Sequence, residues 1–390
     1  MQGIKDRVAI VGMGCTKFGE RWDAGTSDLI VEAAYEAYED AGVDPKDVQA
    51  AWVGTVQSFR TGQPLAQALK LDYVPITRVE NACATATDAF RNASYAVAAG
   101  IYDMVLATGV EKLKDSGFSG LAVPEAVGSE VAPPVPPPSQ FAMAATRYFH
   151  HYEIPYEEGK RTLAQIASKN HHNGTLNSKA HFQREVSVDQ IMNAPMIAWP
   201  LGLYDCCGVS EGAAAALITT PEIARSMRRD YVLVKGLGLA VGSFGMLRDD
   251  WDFVHFPENV RAGQAAYREA GITNPRDEID MAIVHDCFTI TELIIAEDLG
   301  FSPRGRARED VEAGTFTLEG DLPINTDGGL KCFGHPVGAS GIRMIYEVYK
   351  QLQGKAGPRQ LKKADLGLTH NLGGRPGSFT ASVAVFGKGE

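Results

Sequence analysis

Short apolar runs alternate with segments of helical apolar period, and the alternation occurs twice in 390 residues. In the first half RVAIVGMG (7–14) reads as a strand, and DLIVEAAYEAYEDAG (28–42) as a helix closed by glycine. AAWVGTV (50–56) is a second strand, a helix runs from a cysteine-bearing turn to about Gly100, and DMVLATGVE (103–111) is a third strand. The second half offers YVLVKGLGLA (231–240) as a strand and NVRAGQAAYREAG (259–271) as a helix. After these come IDMAIVHDCF, TELIIAEDLG, ASGIRMIYEVYKQLQG, ADLGLTHNLGG and SFTASVAVFG, read as strand, helix, helix, strand and strand. Two βαβαβ-like halves predict an α/β fold with mostly parallel, buried strands. They also predict an internal duplication, visible as architecture rather than as residue identity.

Between about 112 and 205 the alternation breaks. EVAPPVPPPSQ (130–140) argues against regular helix or interior strand, because consecutive prolines remove amide donors and fix an extended backbone. FAMAATRYFHHYEI and RTLAQIASKNHHNG beyond it read as two amphipathic helices. The expected division is therefore a first half of 1–111 plus 206–230, an inserted loop domain over 112–205, and a second half of 231–390. Such an insertion shapes a ligand channel at one end of a sheet.

Composition removes several classes of function. Lys and Arg number 37 against 48 Asp and Glu, a net charge of −11, which repels a nucleic-acid backbone and leaves any phosphorylated ligand to a local basic spot. No apolar run is long enough to span a bilayer, and the N-terminal residues enter a strand pattern without a signal-peptide core, so a cytoplasmic protein with no membrane partner is expected. The C-terminal FGKGE carries neither an ER-retention nor a peroxisomal address. The six cysteines, at 15, 83, 206, 207, 287 and 332, have neither metal-ligand spacing nor a disulfide framework. They read as reduced thiols, most of them packed as small apolar residues, and no metal site is expected.

Four polar clusters mark strand ends or glycine turns: NACATA (81–86), HDCF (285–288), GGLKCFGHPVGASG (328–341) and HNLGG (370–374). That edge of an α/β sheet is where ligands bind. A cysteine at a helix N-terminus beside an imidazole gains thiolate character and can attack a thioester or activated carbonyl. Backbone amides of the cysteine turn and of a Gly-Gly loop can hold the oxyanion. A second thiol or imidazole can move a proton at carbon.

In this order the four clusters resemble the thiolase superfamily, in particular its sterol-carrier-protein-type and acetyl-CoA acetyltransferase-like members, and the resemblance runs nearly end to end. It implies a thiolase fold, five-layered α-β-α-β-α from two duplicated halves with an inserted loop domain. It implies an acyltransferase that cleaves a 3-oxoacyl-CoA with coenzyme A, or condenses in reverse, through an acyl-cysteine. Carried over by motif, Cys83 is the acylated nucleophile and His335 its base and an oxyanion-hole group. His285 polarises the thioester oxygen, and Cys287 takes the second acid/base role. His370 stands where related enzymes carry a proton-shuttling cysteine. Gly373 and the amide of Cys83 form a second oxyanion hole. Coenzyme A is then a substrate, with no covalently bound cofactor. The resemblance further implies a homodimer or dimer of dimers, and a zinc-ribbon/OB-fold (DUF35) partner subunit.

Other features read more plainly. Cys332 is taken as a packing residue, His150–His151 and His171–His172 point different ways on their helices, and GLGLAVG (236–242) lacks the remainder of a dinucleotide fingerprint. Cys287, His285, His335 and His370 each have a structural alternative. Arg375 is either a turn-stabilising cation or a partner for a substrate carboxylate, the latter favouring an aromatic or dicarboxylic acyl-CoA such as benzoylsuccinyl-CoA. The competing functions are a thiolase-like aldolase acting on a CoA ester and a non-catalytic acyl-CoA-binding subunit.

Overall fold

β1 (Ala9–Cys15) is buried along its whole length and opens a computed structural model that describes residues 3–116, 135–243 and 251–389. In chain order follow α1 (Thr26–Ala41), β2 (Ala50–Gly54), α2 (Gln63–Leu69), β3 (Ile76–Val79), α3 (Thr85–Ala98) and β4 (Met104–Glu111). The middle region contributes α4 (Pro137–His151), α5 (Tyr156–Thr175), α6 (Val188–Met192) and a small ribbon of β5 (Met196–Ala198) and β6 (Leu201–Gly202). β7 (Gly212–Thr219) and α7 (Pro221–Met227) return to the first half. The second half comprises β8 (Val232–Val241), α8 (Pro257–Ala270), α9 (Pro275–Glu278), β9 (Met281–Ile283), α10 (Thr289–Asp298) and α11 (Ala307–Glu312). It closes with α12 (Gly329–Phe333), α13 (Ser340–Leu352), β10 (Leu366–Arg375) and β11 (Ser378–Lys388).

The strands join edge to edge in the order β3-β2-β4-β7-β1-β8-β11-β10-β9. The expectation of mostly parallel pairing is corrected here. β2 pairs in parallel with β3 and β4, and β9 with β10, but every pairing of β7, β8 and β11 is antiparallel. In each half one returning strand, β7 or β11, slots between strands that otherwise run the same way. Read outward from the β1–β8 junction, β1-β7-β4-β2 matches β8-β11-β10-β9, which is the duplication.

α3 and α13 pack on each other and touch strands of both halves, so the two halves of the sheet flank this helix pair. α1 covers the outer face of β1 and β7, and α8, backed by α10, covers β8 and β11. The result is five layers. Alternation along β1, interrupted by a register shift between Ile10 and Gly12, divides its side chains between two cores: Ala9 and Val11 join Leu29, Ala33 and Ala37 of α1, while Ile10 and, beyond the shift, Met13 join the larger cluster that includes Phe90 of α3 and Ile342 and Ile345 of α13.

One residue-level trace of the duplication escaped the sequence reading. A Cβ on Gly12 or Gly14 of β1 would fall 2.3 Å from Ala37 O or 2.0 Å from Ala33 O of α1. On Gly236 or Gly238 of β8 it would fall 2.2 Å from Ala266 O or 2.0 Å from Ala262 O of α8. The Gly-x-Gly in GLGLAVG thus lets a helix lie directly on a strand, as GMG does in β1.

The proline-rich run also differs from expectation. Residues 117–134 of the expected lid lie outside the described residues, but α4 begins at Pro137. Pro137 and Pro138 occupy its first turn, where amides have no helical acceptor, so proline costs nothing there. No helix among the described residues is long and apolar enough to cross a membrane.

Candidate active site

The turn before α3 is built by its own side chains. Ala82 has φ 48°, a left-handed conformation that costs a non-glycine residue about 1 kcal/mol. Thr85 offsets this by donating from Oγ1 to Ala82 O (2.5 Å) and accepting from Asn81 N (2.8 Å), while Asn81 Nδ2 donates to Asp88 Oδ2 (2.6 Å). Cys83 is thereby held, partly exposed, just ahead of the helix. Its thiol is pushed up to about 12, first by burial and then by the Glu111 and Glu80 carboxylates. This corrects the expectation of enhanced thiolate character. The first amides of the turn do not aim at sulfur: Ala84 N and Thr85 N donate to Asn81 O and Ala82 O (3.0 and 3.1 Å).

His335 approaches from the loop ahead of α13. Ser340 Oγ donates to Pro336 O (2.9 Å) and therefore accepts from Nδ1–H of His335 (2.7 Å), which leaves the lone pair on Nε2. That Nε2 is buried and has no partner. Burial, aided by Arg343, pushes the imidazole down to about 3, so it is a neutral proton acceptor. The glycines of GASG make the approach possible. A Cβ on Gly341 would lie 2.2 Å from Thr87 Oγ1 and 2.5 Å from Thr87 N of α3, and one on Gly338 would lie 2.6 Å from Val110 O of β4.

His285 follows β9 and meets His335 edge to face, with ring centroids 5.2 Å apart. Its Nδ1 is buried without a partner, and burial, with His335 and His370 adding, holds it well below the usual histidine range. One donor atom from each of Cys83, His285 and His335 lies within 4.8 Å of the others. Cys287 is buried beside them; burial and the neighbouring Cys207 and Cys83 hold its thiol well above the ordinary value. It is a proton donor rather than an anion at rest.

Several supporting groups went unrecognised in the sequence. Asp286 of HDCF accepts from Leu330 N and Lys331 N (2.6 and 3.1 Å), so it ties the HDCF segment to α12. Asn325 accepts from Val284 N (2.8 Å) and donates to Glu292 (2.8 Å). Cys207 N donates to Cys287 O (2.9 Å), placing the adjacent-cysteine segment alongside HDCF. Glu111 accepts from Thr55, Val56, Gln57, Ser58 and Gly338, joining the β2 and β4 ends to the His335 loop. The Asp inside HDCF and the Ser inside GASG were the available signals.

The remaining expected residues lie along β10. A Cβ on Gly373 would fall 2.5 Å from Cys83 N, so this strand presses directly on the cysteine turn. His370 is not one of the three converging groups. Alternation turns it to the face opposite Asn371, which accepts from Thr87 of α3 (2.6 Å), and its Nε2 meets Asn259 Oδ1 of α8 (2.9 Å). Asn259 in turn donates to Asp298 (2.9 Å), so Nε2 of His370 carries the proton and its buried Nδ1 is unpartnered. Arg375 shares the face of Gly373, two residues on, and lines a largely apolar cavity of about 330 Å³ with Met143, Arg147, Trp251 and Phe253. Cys332 packs in the interior as expected, its Sγ against Phe182 O (2.7 Å).

A thiol on a partly exposed residue, close to two imidazoles and on a turn pressed by a glycine strand, is an arrangement chemically suited to nucleophilic acyl transfer. The chain belongs to the thiolase family, a family of acyltransferases: residues 8–222 match the model described as "Thiolase, N-terminal domain", and residues 245–388 match "Thiolase C-terminal domain-like". It is 40% identical over 389 residues to an acetyl-CoA acetyltransferase of Methanothermobacter thermautotrophicus, covering 98% of this chain and 99% of that one. It is 32% identical to human sterol carrier protein 2, covering 94% of this chain and 70% of that protein. Among solved structures it is similar to the Ltp2-ChsH2(DUF35) aldolase, with a TM-score of 0.82, 26% identity and 99% of each chain covered. The acetyl-CoA acetyltransferase of Syntrophomonas wolfei shares the fold, with a TM-score of 0.71 at 20% identity over 98% of this chain and 99% of that one.

Proposed function

We propose that the chain catalyses CoA-dependent thiolysis of a 3-oxoacyl-CoA, or the reverse Claisen condensation, through an acyl-Cys83 intermediate. The observation that carries this is the meeting of Cys83 with His285 and His335, the latter presenting an unpartnered Nε2 lone pair. In cleavage His335 takes the proton of Cys83 as sulfur attacks the 3-oxo carbon, and the oxyanion that forms is held by the amides of Cys83 and Gly373. The Cα–Cβ bond then breaks. Its electron pair passes to the departing CoA ester as an enolate, which the Cys287 thiol protonates while His285 polarises the thioester oxygen. Incoming CoA gives its thiol proton to the Cys287 thiolate and its sulfur attacks acyl-Cys83; Cys83 leaves as the thiolate, recovers its proton from the His335 imidazolium, and the shortened acyl-CoA departs. His370, held through Asn259 and Asp298 and outside the Cys83–His285–His335 cluster, acts on the reaction through its neighbour His285.

The duplicated halves and the middle region divide as 1–111 with 206–230, 112–205, and 231–390; limited proteolysis that cuts first near 112 or 205 supports this division. For the acyl group, the apolar, aromatic-walled cavity with Arg147 and Arg375 at its wall favours an aromatic or dicarboxylic chain, such as that of benzoylsuccinyl-CoA, over acetoacetyl. A DUF35-type partner subunit is supported by the likeness to the Ltp2-ChsH2(DUF35) aldolase, and full turnover by the purified chain alone would count against it. The same likeness favours one second reading, an aldolase that never acylates its cysteine.

Incubation with a radiolabelled short acyl-CoA, followed by peptide mass spectrometry, separates the two. A thiolase carries label on Cys83 that added CoA discharges and Cys83→Ala abolishes. An unlabelled protein that still cleaves a CoA ester is the aldolase. Thiolysis across acetoacetyl, medium-chain, aromatic and dicarboxylic esters is expected to be fastest with the last two.

A further inference from the structure

We infer that Cys83, His285 and His335 form a three-ligand site for a borderline-soft divalent cation, Zn²⁺ above all, whose binding closes the nucleophile in a reversible inactive state. Linear spacing hides the site because its donors come from three distant segments. Their ligand atoms already lie within 4.8 Å of one another. A tetrahedral zinc centre with Zn–S of about 2.3 Å and Zn–N of about 2.0–2.1 Å separates its ligands by roughly 3.4–3.6 Å, so a small rotamer adjustment suffices. His285 and His335 are 1% and 5% exposed, and each keeps a buried nitrogen without a partner. Ser340 holds the second nitrogen of His335, which fixes the lone pair of the first, as outer-shell partners do in zinc sites.

Charge favours the cation where it disfavours the free thiolate. The Glu111 and Glu80 carboxylates act on Cys83 electrostatically, and the same negative charge attracts a dipositive ion. On binding the S–H bond breaks, the sulfur electron pair forms the Zn–S bond and one proton leaves to solvent. No electron is transferred. Three protein ligands leave the fourth position to water or to the thiolate of free coenzyme A.

Co²⁺ titration of the full wild-type chain under reducing, anaerobic conditions tests the site without reference to turnover, so its failure is distinct from failure of the acyl-transfer reading. The expected result is a thiolate-to-cobalt charge-transfer band with tetrahedral visible bands, saturating at one ion per chain and displaced by Zn²⁺. Cys83→Ser removes the charge-transfer band, Cys207→Ser and Cys332→Ser keep it, and His335→Asn weakens Co²⁺ binding at least ~10-fold. Because a histidine variant can misfold, a second measurement uses wild type alone: Zn²⁺ slows iodoacetamide labelling of Cys83 at least ~10-fold, and EDTA restores it. An octahedral spectrum without a charge-transfer band, a band that survives Cys83→Ser, or unprotected Cys83 overturns the proposal.

Discussion

A catalytic cysteine can be activated by standing as a thiolate or by shedding its proton only when substrate arrives, and the proposed nucleophile, Cys83, has the resting state of the second kind. Its thiol sits near 12 and His335 near 3, so the pair rests as thiol and neutral imidazole, not as an ion pair. The sign of the pH dependence follows. Between pH 6 and 9 the thiolate is the minor species, and its population grows tenfold per pH unit. Iodoacetamide labelling of Cys83 in the free protein should rise with a log-linear slope of about one, without levelling. A plateau with a midpoint near neutrality would show a resting thiolate–imidazolium pair instead. Motif order made Cys83 and His335 legible in the sequence, but the protonation states were not, because the burial of both groups, and the approach of Glu111 to one and Arg343 to the other, arise only through the fold.

The elements that carry these residues are positioned by missing side chains. α3 and α13 start side by side because Gly341 leaves room for the Thr87 backbone. Gly341→Ala puts a methyl 2.5 Å from Thr87 N, a contact that helix displacement alone can relieve. The expected cost is about 1–3 kcal/mol in urea unfolding, together with a loss of Cys83 acylation exceeding the loss of fold. Gly25→Ala, whose methyl would meet only Asp28 Oδ2 at 3.5 Å, should cost about 0.5–1 kcal/mol as a poorer N-cap of α1 and leave acylation intact. Equal effects from the two substitutions would remove this account of the helix pair. The sequence displayed the glycines of GASG without saying what they approach, and likewise Gly236 and Gly238. Short elements such as β3, α6 and α12 offered too few periods to be read at all.

For the whole molecule the sheet leaves an open edge at β3, where Ile76 and Val79 are half-buried and Thr77 is exposed. β3 ends just ahead of the Cys83 turn, so whatever covers this edge steadies the nucleophile. An unpaired strand with apolar side chains is a template for a second strand, and a twofold pairing with another copy satisfies it. Sedimentation equilibrium of the purified chain should therefore give a dimer or dimer of dimers, and Thr77→Pro should shift it toward monomer. A chain that is monomeric at micromolar concentration contradicts the expected homodimer.

Local chemistry within the sequence was enough for the alternating elements, the doubling of the βαβ pattern and the four polar clusters, since periodicity and turn residues are properties of neighbours in the chain. Pairing direction, the glycine contacts between layers, the turning of His370 toward Asn259 and the meeting of Cys83 with His285 and His335 belong to the tertiary structure. Each depends on segments up to hundreds of residues apart, and neither spacing nor composition encodes the distance between them once folded.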